Sequence, residues 1–462
     1  MNKFFTTLLT ISLLLFFNAC KEEEVPLPDN LVEFESAEQG MEGTTKTLTV
    51  KVKLSRATDV AVPVAVQLTP SGVSYGTEFS TTPAATNNTL ALTIPPGSDE
   101  AAFTITRADN VFLSGTEAIN FQIQSAGTPV LVGPTSALAV KFTSIVSQGS
   151  SLRLNGGAGG TSAVNAVFVD FSNNKQSSVA RAAWDLGFYA GSEYRVILNS
   201  MTGATAVAVN KTNLAQVTAA DTVGVNFTLG FEPAHMALVD DVTGDLTKTV
   251  IAAVSATEAD NKVYILSRGT SGATPKKELL KIRVLRSGAA GYTLQYAGLN
   301  ETTFKTITVN KESTYNFNYV SLTTEGALEV EPPKDRWDIV WTGGLYKTAL
   351  QPGVDIPYYF SDMVFINQRG GVQAAEVLTS SVSYDAFAES HLPGVTFSAD
   401  RVVIGANWRT ATMNATGVRT DRFYLVKDAA GNVYKLKFVN FASSDGGERG
   451  YPNIEYKLVK KG

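Results

Sequence analysis

Residues 47–54 read TLTVKVKL, with Leu48, Val50, Val52 and Leu54 alternating with Thr49, Lys51 and Lys53. A period of two sets the apolar residues on one face of a strand and the polar ones on the other. The same alternation predicts strands over 31–34, 46–54, 60–68, 89–94, 100–106, 117–124 and 138–142. Gly- and Pro-containing turns at 70–72, 95–97 and 114–115 separate them. Short strands at this spacing predict a β-sandwich over 30–145.

The rest of the chain carries one pattern twice. Ala183-Trp184-Asp185-Leu186-Gly187-Phe188 returns as Arg336-Trp337-Asp338-Ile339-Val340-Trp341. A predicted strand precedes each copy, at 165–171 and 315–322, and an apolar segment ending in Asn follows each, at 195–199 and 363–367. Three further strand-like segments follow in register in each half: 261–266, 278–283 and 291–296, then 421–426, 432–438 and 453–458. Self-similarity at so many points predicts two related units, 147–300 and 301–462, able to pack as one body. Alternation places Trp184, Leu186 and Phe188 on one face, and likewise Trp337, Ile339 and Trp341. Asp185 and Asp338 then point the other way, suited to accept backbone N–H groups at a turn or to pair with an Arg. The fold class expected is all-β: an N-terminal sandwich followed by a β-rich body with an internal duplication. The glycine-rich stretch 155–160 lacks the Lys-Ser or Lys-Thr of a phosphate loop and reads as a connection between strands.

The N-terminus changes the picture from fold to location. Lys3, an apolar run over 4–17 and Asn18-Ala19-Cys20 read as a secretory signal over 1–19, with Cys20 as the lipidation site. Residues 20–29 form a tether whose KEEE at 21–24 resembles the surface-export signal of Bacteroidetes lipoproteins. The expected location is the outer membrane, lipid-anchored and facing outward, with membrane lipid as the first partner. Cys20 is the chain's one cysteine, so disulfides, a cysteine nucleophile and thiolate metal sites are excluded. With 38 basic and 43 acidic residues, a net charge of -5, and no dense basic patch, nucleic acid is not an expected partner. The two histidines, His235 and His391, are too few for a zinc site built on several imidazoles. No G-x-S-x-G elbow accompanies them, and no enzyme is expected.

Two family resemblances follow from particular segments. FESAEQGMEG at 34–43, GVSYGTEFS at 72–80, LTIPPGSDEAAFTIT at 92–106 and GTEAINFQI at 115–123 resemble a Calx-beta domain. That resemblance implies a calcium site at Glu38 or Glu42, Asp109 and Glu117. The segment 107–110 holds Arg107 where an acidic cluster is needed, so a spacer without calcium is the expected role. WDLGF, WDIVW, VYKLKFVNF at 433–441 and RGYPNIEYKLV at 449–459 resemble the HmuY-like family of Bacteroidetes surface lipoproteins, over 147–462. The resemblance implies capture of haem through two axial His or Met side chains and delivery to an outer-membrane receptor, of the TonB-dependent class. The candidates here are His391 with Met363 in the second unit and His235 with Met201 in the first. The alternatives are a glycan- or peptide-binding module using Tyr346, Tyr358, Tyr359 or Trp408, and a structural cell-surface protein.

Overall fold

The computed structural model describes residues 28–41, 45–108, 117–142, 146–272, 274–288, 290–412 and 416–462. Cys20, Glu42 and Asp109, together with the expected signal segment, lie outside the described residues. The chain is almost entirely β-structure, arranged in several discrete sheets. Among the described residues no helix is long and apolar enough to cross a membrane.

The N-terminal strands form two five-stranded sheets. One runs Phe79–Thr82, Glu100–Arg107, Thr47–Leu54, Leu31–Phe34, Leu131–Val132, and the other Glu38–Gly40, Ala137–Lys141, Ala118–Ala126, Val62–Ser71, Thr89–Ile94. Every strand predicted by alternation is present, within one to three residues at its ends. Strands of two or three residues, such as Glu38–Gly40 and Leu131–Val132, are too short to display a period. Val50 and Val52 of the first sheet and Val64 and Val66 of the second join one core, where Phe103 and Phe121 meet with ring centroids 4.9 Å apart. Burying each such side chain contributes ~1.5–3 kcal/mol. The polar positions of Thr47–Leu54 stay outside, where Lys53 pairs with Glu35 at 2.7 Å.

The body beyond residue 146 repeats one set of ladders. Lys305–Asn310 completes the sheet Thr205–Val209, Val263–Ser267, Leu280–Ser287, Gly291–Gly298, while Gly149–Arg153 completes the sheet Asn453–Lys460, Val433–Asn440, Arg422–Lys427, Gln373–Leu378. Each strand following a Trp-Asp pair joins a hairpin from the other half of the sequence. Leu186–Tyr189 pairs with Phe317–Ser321 through Leu186↔Val320 and Gly187↔Tyr319. Ile339–Gln351 pairs with Asn165–Asp170 through Val169↔Ile339 and Phe168↔Val340. The hairpin at the head of each half is therefore exchanged, and the two halves share sheets.

The expectation that each W-D-x-x-[FW] triplet shares a face needs correction. Leu186 and Phe188 enter one apolar cluster, but Trp184 packs in another with Tyr319 and Val330. Ile339 and Trp341 likewise part from Trp337, which packs with Phe168 and Met363. The strands begin only at Leu186 and Ile339, so the tryptophans sit in the preceding turn, where a period of two does not apply. Residues 210–262 carry short 3-10 helices and no strand. The glycine-rich stretch is a tightly packed connection, and a Cβ on Gly156 would stand 2.2 Å from the Trp341 ring.

Candidate functional site

Each Trp-Asp turn is held by the same two devices. The Asp carboxylate accepts the N–H at the end of the exchanged strand: Asp185 from Leu322 and Asp338 from Phe171, both at 2.7 Å. The Asn that closes the following strand bridges back. Asn199 Nδ2 donates to the carbonyls of Arg181 and Trp184, and Asn367 Nδ2 to those of Lys334 and Trp337. These bonds satisfy buried backbone groups that the turns would otherwise leave unmade. They also fix the two indoles. Trp184 meets Tyr319 edge-on at 4.8 Å, and Trp337 meets Phe168 edge-on at 5.0 Å. Tyr319 and Phe168 occupy matching places in the two exchanged hairpins, opposite Gly187 and Val340.

Between the two turns lies a cavity of about 140 Å³. Trp184, Trp337, Met201, Leu198, Val340 and Phe365 give it an apolar body. Four carboxyl-bearing residues, Asp240, Asp241, Asp245 and Glu331, line its wall. Asp240 accepts the N–H groups of Leu198 at 2.6 Å and Val250 at 2.9 Å. Glu331 accepts those of Asn316 at 2.6 Å and Phe317 at 2.8 Å, and the Tyr319 hydroxyl at 3.3 Å. Burial outweighs these bonds and pushes Asp240 up to about 6 and Glu331 up to about 7. Arg401 supplies a cation with its guanidinium 4.1 Å over the Phe365 ring. Burial, with Arg369 nearby, lowers its pKa to about 10. Gly244, at φ +81, lets the turn before Leu246 approach, since a Cβ there would stand 2.8 Å from Arg401 Cδ.

The structure distributes the residues expected from sequence as follows. Met201 lines the cavity, and fully buried Met363 belongs to the apolar cluster on which Met201 packs. His391 is exposed, stacked on Phe387 at 5.2 Å, in an apolar cluster separate from that of Met363. His235 is buried in the 3-10 helix Pro233–Leu238, with Glu232 3.6 Å from its Nε2. His391 Nδ1 lies 3.0 Å from the Ala388 nitrogen and 3.2 Å from the Ala388 carbonyl oxygen, compatible with either tautomer, whereas His235 Nδ1 accepts the Gly230 N–H at 3.0 Å. A neutral His235 ring in that arrangement carries its proton on Nε2, so ligation through Nε2 requires that proton to leave. Glu38 lies on a strand and pairs with Lys141 at 3.1 Å; Glu117 abuts Gly72, whose Cβ position is 3.4 Å from Glu117 Cγ. Among the described residues no three His, Cys, Asp or Glu side chains gather as a metal site. Trp408, an expected sugar-stacking candidate, is core, stacked on Phe438 at 4.3 Å. Tyr358 is exposed and meets exposed Phe231 at 6.2 Å and Phe360 at 4.8 Å. Asp240, Glu331 and Arg401 stand in no motif or periodic pattern of the sequence. The cavity signal present in sequence was the paired tryptophans, which were read as strand residues.

A family model described as HmuY protein matches residues 162–456. No curated protein matches the chain. Among solved structures, the apo form of the Calx CBD1 domain is 18% identical, covers 25% of this chain and 96% of its own, and has a TM-score of 0.22. The CBD12 calcium-binding domain of CALX1.1 is 14% identical, with coverages of 36% and 78% and a TM-score of 0.21. A two-domain protein of unknown function from Bacteroides fragilis is 11% identical, with coverages of 73% and 90% and a TM-score of 0.19. Likenesses of this size carry no argument here.

Proposed function

We propose, from the premise that the chain belongs to the HmuY family, that it is a surface-anchored ligand-capture protein. The observation that carries this reading is the family match over 162–456. Proteins of this family are outer-membrane surface lipoproteins and are non-catalytic. In this reading Cys20 bears the lipid and 20–29 is the tether. The 30–145 segment is a β-sandwich spacer without calcium, and 147–462 is a duplicated capture head that hands its cargo to an outer-membrane receptor.

The cargo supported by the family is haem. The chain's own candidates for axial ligands are His235 with Met201 and His391 with Met363. Titrating the full chain with hemin is expected to give a saturable Soret shift, and its absence removes the haem reading. Loss of the band in His235→Ala with retention in His391→Ala assigns the first pair; the converse assigns the second. A second reading, capture of a glycan or peptide without haem, is favoured by the exposed rings of Phe231 and Tyr358, at 68% and 38% exposure. Aromatic faces of this kind stack on sugar rings or apolar side chains.

A further inference from the structure

The cavity between the two Trp-Asp turns has an unequal hydrogen-bonding inventory. Both Asp240 oxygens take backbone N–H groups, Glu331 Oε1 takes two and Glu331 Oε2 takes the Tyr319 hydroxyl, while Asp241 Oδ1 accepts from Thr243 and Asp245 Oδ1 from Thr247. Among the donors, those of Asn316, Thr249 and Arg369 are also used, and two are left over. The indole N–H groups of Trp184 and Trp337 are buried without a hydrogen-bond partner, in side chains only 3% and 8% exposed. Both rings line the cavity. The Arg401 guanidinium feels the Asp240 and Asp400 carboxyls on one side and the positive charge of Arg369 on the other, with no direct ion pair among the described residues. A buried donor without an acceptor carries its full desolvation penalty. Two of them, in matching turns of the two halves around one cavity, point to an acceptor-bearing occupant.

Size sets the rest of the occupant. An apolar cavity of ~150 Å³ takes one benzene ring, and this one measures about 140 Å³. Its wall is mostly aromatic and aliphatic, with the donors as its unspent polar groups.

We propose that this cavity is a binding site for a small monocarboxylate, with an apolar body no larger than one aromatic ring, whose oxygens accept from the Trp184 and Trp337 indoles and face the Arg401 guanidinium. Burial raises Glu331 to about 7 and Asp240 to about 6, which lessens the negative charge of the wall without removing it, and Arg401 and Arg369 stand against what remains. A porphyrin exceeds this volume; the cavity shares Met201 with one candidate haem pair, so hemin and benzoate are titrated separately, and either activity can fail without the other.

The test is titration of the full chain with benzoate, followed by heat and by tryptophan fluorescence. Toluene serves as the probe without acceptors, and isovalerate as the non-aromatic acid. Trp341 and Trp408 do not line the cavity and report any general effect. Saturable benzoate binding is expected, with toluene at least tenfold weaker. Trp184→Phe and Trp337→Phe keep the ring bulk and remove one donor each; each is expected to weaken benzoate about tenfold while leaving toluene unchanged. Val242→Phe fills the cavity and is expected to abolish both. No saturable response of the unaltered chain to millimolar benzoate or isovalerate overturns the proposal. So does benzoate affinity equal to that of toluene, or affinity unchanged in both tryptophan variants. Because the unaltered chain decides the first point, a variant that fails to fold does not shield the proposal.

Discussion

Asp185 and Asp338 occupy the same place in two copies of one motif, yet their surroundings differ in charge. Asp185 is gripped by Arg268 through two bonds of 2.6 and 2.7 Å. Asp338 has the Asp170 carboxylate as its electrostatic neighbour, and burial together with that neighbour raises its pKa well above the usual carboxylate range. Both nevertheless accept the N–H that ends the exchanged strand, at 2.7 Å in each case. The backbone bond is thus the constant of the motif, and the charge is settled locally. One copy sets a cation against its acid, and the other holds its acid toward the neutral form. A carboxyl oxygen accepts an N–H in either state, so the turn survives both solutions.

The comparison can be broken most forcefully at Arg268. Arg268→Ala leaves Asp185, only 3% exposed, as a buried charge without its bidentate partner. A loss of ~3–5 kcal/mol is expected in equilibrium urea unfolding. A loss below ~1 kcal/mol would mean that the first copy, like the second, tolerates an uncompensated acid.

The pH dependence of stability sharpens it next. Glu331 stands at about 7 when folded, above its ordinary 4.5, so the folded chain holds a proton that the unfolded chain releases between those values. Its contribution is fully present below about 4.5, falls as pH rises, and is gone above about 7. The amount is on the order of 3 kcal/mol. Asp240, raised to about 6, adds a smaller loss of the same sign. Glu331→Gln keeps an oxygen for Asn316 and Phe317 and is expected to flatten this part of the melting-temperature profile. An unaltered slope would show that Glu331 does not titrate in this window.

The smallest effect is expected at the second aspartate. Asp338→Asn retains an oxygen for the Phe171 N–H and removes only a charge the site already disfavours. A change within ~1 kcal/mol at neutral pH is expected. Asp185→Asn, which strands Arg268, is expected to cost several times more in the same urea measurement. Equal costs would erase the distinction between the copies.

The legible part of the fold was its strands. TLTVKVKL at 47–54 declared its buried face because side-chain alternation is a property of one segment and its backbone. The repeated Trp-Asp motif was legible in residue type and spacing, which left its aspartates suited either to accept backbone N–H groups or to pair with an Arg; Asp185 does both and Asp338 accepts the N–H. The sharing of a face by Trp184 and Leu186 did not hold, because alternation ends where the strand ends. The cavity was out of reach for a different reason. Asp240, Glu331 and Arg401 are far apart in sequence and stand in no periodic pattern, so nothing local marks them as one wall.

Sequence by itself therefore determined the all-β class, the strand positions and the existence of two like motifs, since each depends on neighbours along the chain. Tertiary structure alone decided that the leading hairpins change places, pairing Phe168 with Val340 and Tyr319 with Gly187. It also decided that one aspartate is paired with a cation and the other set beside an acid, and that two indoles face a common space. Strand partners and desolvation are set by groups brought together across long stretches of chain, and the period of a single segment carries no record of them.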